Sequence, residues 1–407
     1  MLAIWRTRQA SYPITQAHSM DAHTSRRQFL QLSGAALLTV ALPRAFGKTV
    51  ASGSSTFFAA TPPASTTSIH PNAANLYRKA LVLDCNALAS IGVQFDGASS
   101  FQALRDSGLS ALKSTLGGAA GTFEETVADI AAAQTLIERH LDLFIKVTRH
   151  ADLDRAKFEN KVAVIFSFEA VSMLEGKLDR IDLFRQLDVL VMQLTYNDKT
   201  PFGYGSLAGD TGGVTELGQK AIARMNSLGV ALDLSHANVQ TTADGIALST
   251  KPPLITHAGC RAVFDHPRNK RDQEMKAMAD KGGVMGIYML PFLTHDSRMP
   301  TLSDYMSHMV HALDVCGEDH VGIGTDSMFF TATDKDLQAV KQLEDERRKA
   351  EIGAPGENRP PYIPDINTPR KLEFVADALL KHGYSTSVTD KVLGLNFDRV
   401  FNEIWIA

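Results

Sequence analysis

The strongest constraint on this chain is a rhythm. From about residue 76 onward, short runs of aliphatic and β-branched residues alternate with longer amphipathic stretches. Eight runs read as strands: Ala80–Asn86, Asp142–Thr148, Val162–Phe168, Asp188–Thr195, Gly229–Leu234, Pro253–Thr256, Gly283–Met289 and His320–Thr325. Several of them, Val162–Phe168 for one, show no apolar/polar alternation, which is the pattern of strands buried on both faces. Between them, Glu124–His140, Glu216–Leu228 and Leu302–Val315 read as helices; in the last, Tyr305, Met309 and Leu313 recur at helical spacing. Strand and helix in alternation imply a parallel sheet with right-handed crossovers. Eight such units match the roughly 250 residues of a (β/α)8 TIM-type barrel. A doubly wound open sheet is the alternative, but no Gly-rich phosphate loop follows the first strand.

The residues before this rhythm are of a different kind. Ser25-Arg26-Arg27-Gln28-Phe29-Leu30 is a twin-arginine signature, followed by an apolar run from Leu32 to Leu42. That run falls short of the about 20 residues a spanning helix needs. A charged start, a short apolar core and small residues near Ala45 form an export signal. The expected organisation is a signal region at 1–47, a Ser/Thr/Ala/Pro linker at 48–75 and one barrel domain at 76–407. The expected location is the periplasm, with no stable membrane span after processing. A net charge of −4 without a basic stripe excludes nucleic acid as a partner class. Three cysteines, Cys85, Cys260 and Cys316, do not make a disulfide framework and read as buried small hydrophobes.

In such barrels the active site lies at the C-terminal ends of the strands. Asp84, Cys85 and Asn86 stand at the end of the first, Glu169 after the third, and Tyr196, Asn197 and Asp198 after the fourth. His236 follows the fifth, His257 the sixth and Asp326 the eighth. Glu169, His236 and His257 together are a zinc-type ligand set that leaves a fourth position for water. Zinc brings the pKa of such a water to about 7, and Asp326 is placed to take and return a proton. Arg268, in His266-Pro267-Arg268-Asn269, offers a planar fork for a substrate carboxylate; a surface salt bridge is the equally simple reading. With Arg268, Tyr196 and Asn86 are the candidate substrate contacts. Neighbouring strand residues face opposite ways, so Cys85 points away from Asn86 and is not expected among the ligands.

Further matching pieces run through the chain. They are Gln193-Leu194-Thr195-Tyr196-Asn197, Thr215-Glu216-Leu217-Gly218, Met225-Asn226-Ser227-Leu228-Gly229 and Asp233-Leu234-Ser235-His236. Arg268-Asn269, Asp272, His320-Val321-Gly322-Ile323-Gly324-Thr325-Asp326 and Gly394-Leu395-Asn396-Phe397 complete the set. In this order the region from about Ala80 to Phe401 resembles the membrane (renal) dipeptidases. The resemblance implies a barrel with two bridged zinc ions, dipeptide hydrolysis and a homodimer. It implies that Glu169 is the bridging carboxylate, that His236 and His257 complete one zinc, and that Arg268 and Asp326 are the carboxylate binder and the acid near the scissile bond. The family's first strand ends in Asp-Gly-His-Asn-Asp, whose His and second Asp bind the other zinc; here Asp84-Cys85-Asn86-Ala87-Leu88 places Asn86 and Leu88 there. Tyr196 stands where some members have a substrate-contacting His, and Ala170 where Gly is usual.

Three functions fit these residues. The first is a one-metal hydrolase of a dipeptide or small carboxylate-bearing amide. The second is a degenerate relative that binds or helps mature a modified peptide. The third is another reaction using Asp326 and Tyr196. The segment from Ala332 to Pro369, a charged run (Asp334–Glu351) and then a Pro-rich piece (Gly353–Pro364), follows Asp326 and is either a lid, a dimer contact or a floppy insertion.

Overall fold

The computed structural model describes residues 69–87, 98–295, 298–334, 336–338, 341 and 353–405. The signal region at 1–47 and most of the linker lie outside the described residues. A helix, Pro71–Lys79, begins inside the range assigned to the linker; the His70 side chain accepts from Asn72 N at its start and Pro71 opens it.

The strands are β1 (Leu83–Ala87), β2 (Ala111–Thr115), β3 (Phe144–Lys146), β4 (Val162–Phe168), β5 (Val189–Gln193), β6 (Lys199–Thr200), β7 (Gly203–Tyr204), β8 (Ala231–Asp233), β9 (Leu254–Ala258), β10 (Val284–Ile287) and β11 (Val321–Ile323). The main sheet is parallel and runs in the order β1-β2-β4-β5-β8-β9-β10-β11, while β6 and β7 form a small hairpin. Eight parallel strands with helices between them make the (β/α)8 barrel expected from the sequence.

One strand of that expectation is corrected. The second barrel strand is β2, not Asp142–Thr148, which reduces to the three-residue β3 lying beside the start of β4 (Phe144↔Val162) off the barrel path. Ala111–Thr115 carries Lys113, Ser114 and Thr115, so it lacks an apolar signature. All five of its residues are nonetheless buried. Lys113 is fully buried, its Nζ donating to Ser167 Oγ on β4 at 3.3 Å. The other expected strands hold: Val162–Phe168 is unchanged, β1 and β9 run one and two residues past their expected ends, and the rest are shorter.

The barrel closes between β1 and β11 through few contacts. Ala87 and Ser327 form a single parallel bridge, and Asp326 N donates to Asn86 O. Buried Asp84 does the rest, accepting from Thr325 N at 2.8 Å and from Thr325 Oγ1 at 2.6 Å. Close strand approach also fixes Gly324: a Cβ there would lie 1.9 Å from Thr256 O. At the opposite end, the helix Asn396–Ile404 presents Phe397, Val400, Phe401 and Ile404 to a cluster containing Leu83, Ala231, Leu254 and Val284. This apolar plug leaves the C-terminal ends of the strands as the polar end of the barrel.

The Pro-rich piece after β11 is docked rather than floppy. Arg359 donates to the carbonyls of Thr294, His295 and Arg298. His266 Nε2 meets Pro355 O at 2.8 Å, and Ser327 Oγ donates to Pro361 O at 2.8 Å. The piece therefore lies over the strand ends beside Asp326. Most of the charged run Asp334–Glu351 lies outside the described residues.

Candidate active site

Each site residue takes its position from a strand end. Asn86 is the last residue but one of β1, Glu169 follows β4, His236 stands three residues beyond β8 and Asp326 three beyond β11. His257 lies within β9, which runs one residue past it, rather than after a strand ending at Thr256. Glu169 Oε, and one nitrogen each of His236 and His257, lie within 4.8 Å of one another. The sequence's proposed ligand set is thus brought together. Cys85 is buried in the apolar cluster with Leu83, Ala111 and Ile165 and takes no part in it. The cysteines are all free and buried.

The tautomers follow from the hydrogen bonds. Asn197 Oδ1 accepts from Ser206 Oγ at 3.0 Å and lies 2.9 Å from His236 Nδ1. An oxygen that accepts both makes His236 Nδ1 the protonated nitrogen and leaves the lone pair on Nε2. For His257, Thr256 Oγ1 gives its proton to Asp233 Oδ2 at 2.5 Å and so accepts from Nδ1 at 2.9 Å. His257 Nε2 then carries a buried lone pair with no hydrogen-bond partner among the described residues. Burial, followed by the Arg268 charge, pushes both imidazoles well below their ordinary pKa, with Lys270 and Lys113 adding to the effect. Neutral imidazoles with orphaned or inward lone pairs are what a divalent cation requires. These residues fit one such ion.

Asn86 stands beside this group. Asn86 Nδ2 donates to Glu169 Oε1 and to Asp326 Oδ1, both at 2.9 Å. One amide N–H2 thus bridges the two carboxylates. Asn86 Oδ1 has no partner among the described residues, so it is the face Asn86 offers a ligand. Leu88, the other departure from the family pattern, lies outside the described residues. Asp326 has a left-handed backbone (φ 49°), uncommon for a non-glycine residue, which turns its carboxyl toward Asn86. Burial and then the Glu169 charge push its pKa far above the usual carboxylate range, against Arg268 and Lys113, which lower it.

Arg268 is almost wholly buried, so the surface salt bridge is excluded. Its Nη1 donates to Ser235 O and its Nη2 to His236 Nε2, the latter at 3.0 Å. Tyr196 stacks on the His236 ring with centroids 4.0 Å apart and planes 22° apart. The sequence did not reveal Asn197 as the orienter of His236, nor the Asp233–Thr256 pair that orients His257. Asn197 was visible as a polar strand-end residue. Lys113 gave no such signal, since its strand was not recognised.

The chain is similar to several known proteins. A family model described as membrane dipeptidase (peptidase family M19) matches residues 82–347. The chain is 28% identical over 267 residues to an uncharacterised protein in the pqqA 5′ region of Klebsiella pneumoniae, covering 63% of this chain and 87% of that protein. It is 25% identical over 285 residues to the dipeptidase verJ of Clonostachys rogersoniana, covering 69% of this chain and 65% of the other, just under two thirds of its length. Among solved structures, an amidohydrolase from Pseudomonas aeruginosa is similar at 29% identity with a TM-score of 0.69, over 82% of this chain and 99% of that one. The family match covers well over half of the chain, and with the strand-end Glu169, His236 and His257 it leads to one conclusion: this chain belongs to the membrane dipeptidase family, peptidase family M19.

Proposed function

We propose that this dipeptidase-like hydrolase cleaves the amide bond of a dipeptide, or of a similar small amide with a free carboxylate, using a single zinc ion in the periplasm. The observation that carries the reading is the convergence of Glu169 and two neutral histidines, one with an orphaned Nε2. Glu169, His236 and His257 would hold the zinc, which would acidify a water toward neutral pH and polarise the scissile carbonyl. Asp326, with a raised pKa, holds a proton at its carboxyl at neutral pH and gives it to the leaving amine. Asn86 fixes the Asp326 and Glu169 oxygens relative to each other. Arg268 receives the substrate carboxylate with its planar fork. Tyr196 covers one face of His236 and limits access of water to it.

The test is metal content and turnover of a dipeptide panel. About one zinc per chain, lost with activity in Glu169→Ala, is expected; turnover retained in that variant contradicts the reading. Asn86's double donation favours a second reading, a non-hydrolytic relative that binds a modified peptide. No dipeptide cleavage with any added metal is its expected outcome. Twin-arginine export is supported by Arg26-Arg27 and the apolar run after them. A reporter fusion of residues 1–47 that stays in the cytoplasm contradicts it. Among the described residues no helix is long and apolar enough to cross a membrane. A homodimer is proposed on family resemblance, and light scattering decides it.

A further inference from the structure

His236 Nε2 carries the lone pair that a metal ion needs, because Asn197 fixes the proton on Nδ1. That lone pair accepts from Arg268 Nη2 at 3.0 Å. A guanidinium does not give up its proton in a protein, so it is always a donor here. One lone pair cannot serve a guanidinium N–H and a cation together, and the two positive charges also repel. His257 Nε2, by contrast, is free to ligate among the described residues. Arg268 itself is buried over the Tyr288 ring, 6.0 Å from its centroid, and Tyr288 OH is tied to Asn269 Oδ1. Among the described residues the fork meets a carbonyl and an imidazole, and no carboxylate lies within ion-pair distance. A buried guanidinium without an anion is a strong acceptor site for one.

We propose that Arg268 couples metal binding to carboxylate binding: its guanidinium covers His236 Nε2 until a ligand carboxylate draws it off, and the imidazole is then released to the cation. The coupling rests on the one-zinc reading of the site and adds a regulation of it. Linkage makes the effect reciprocal: the carboxylate ligand tightens zinc, and zinc tightens the ligand by the same factor. The free protein holds its metal weakly and the liganded protein holds it firmly. Ligands without a carboxylate do not produce the tightening.

The experiment is zinc affinity of the full mature chain, measured by competition with a chromophoric chelator. The probe is N-acetylglycine, which has an amide and a free carboxylate; N-acetylglycinamide is its uncharged control. Arg268→Met is expected to bind zinc about tenfold more tightly than the wild type without ligand, the scale of one charge-assisted hydrogen bond. Saturating N-acetylglycine is expected to tighten zinc about fivefold in the wild type, a typical coupling, and to leave Arg268→Met unchanged. N-acetylglycinamide should change neither. Unchanged or weaker zinc binding by Arg268→Met, or equal tightening of both proteins by N-acetylglycine, overturns the coupling and leaves the one-zinc reading intact. Zinc bound by neither protein overturns the one-zinc reading and the coupling with it. Should Arg268→Met fail to fold by circular dichroism, Arg268→Lys carries the same test, since an ammonium cannot bond Ser235 O and His236 Nε2 in the same forked geometry.

Discussion

His236 and His257 set the acid limb of this protein's pH behaviour. Their folded pKa values lie well below the ordinary histidine value, chiefly through burial. Below about 6.5 the unfolded chain takes up protons that the folded chain refuses, so metal-free stability falls as the pH drops. Asp326 works at the other end. Its folded pKa is raised from 3.8 to about 8, so between those values the folded state holds the extra proton. Its contribution is therefore lost as pH rises through that window. Thermal melts of the metal-free protein should show both limbs, with His236→Gln flattening the acid one and Asp326→Asn the alkaline one. An unchanged alkaline limb in Asp326→Asn contradicts the assignment. In the metal-loaded enzyme Asp326→Asn should lower kcat by about a hundredfold or more, the scale of a general acid–base group. Asn197→Ala should weaken zinc about tenfold or more with the fold intact, as loss of a ligand's orienting partner does; wild-type zinc affinity would count against the assigned tautomer.

At the level of elements, the weak point is the seam between β1 and β11. It is held by one bridge, by the Asn86–Asp326 hydrogen bonds and by the Asp84 carboxylate, which also accepts from Asn86 N at 3.2 Å. Asp84→Ala leaves Thr325 N and Oγ1 buried without their acceptor, which costs about 2–3 kcal/mol. Because the same seam carries Asn86 and Asp326, activity should fall further than stability does. A chemical-denaturation midpoint within error of the wild type contradicts this role. Strand position was legible in the sequence wherever the strand was largely apolar, as in Val162–Phe168. It failed at Ala111–Thr115, where three of the five residues are polar yet face packed surroundings. Tertiary burial there overrides the local pattern, and a lysine in a strand gives no period to read.

Across the whole molecule, the convergence of the candidate site residues was legible because a barrel sends its strand ends to one place. Glu169, His236, His257 and Asp326 follow from that rule alone. The rule does not show what the partners of those residues are. Asn86 could be seen to replace a ligand, but only the folded chain shows its amide bonded to both Glu169 and Asp326. Arg268 could be seen to follow the sixth strand, but not that it bonds His236. Such contacts join residues far apart in sequence and leave no local pattern. In the one-zinc reading proposed above, they also bear on how many ions the barrel takes. Reversing both departures, Asn86→His with Leu88→Asp, should raise zinc from one toward two per chain by removing the amide clamp and adding two donors.

The most direct measurement is the zinc content of the mature wild-type protein beside Glu169→Ala and Asn86→His/Leu88→Asp, each dialysed against the same zinc buffer. The account predicts about one, none and close to two ions per chain. Two ions in the wild type, or none with the double variant also empty, would contradict a one-metal barrel.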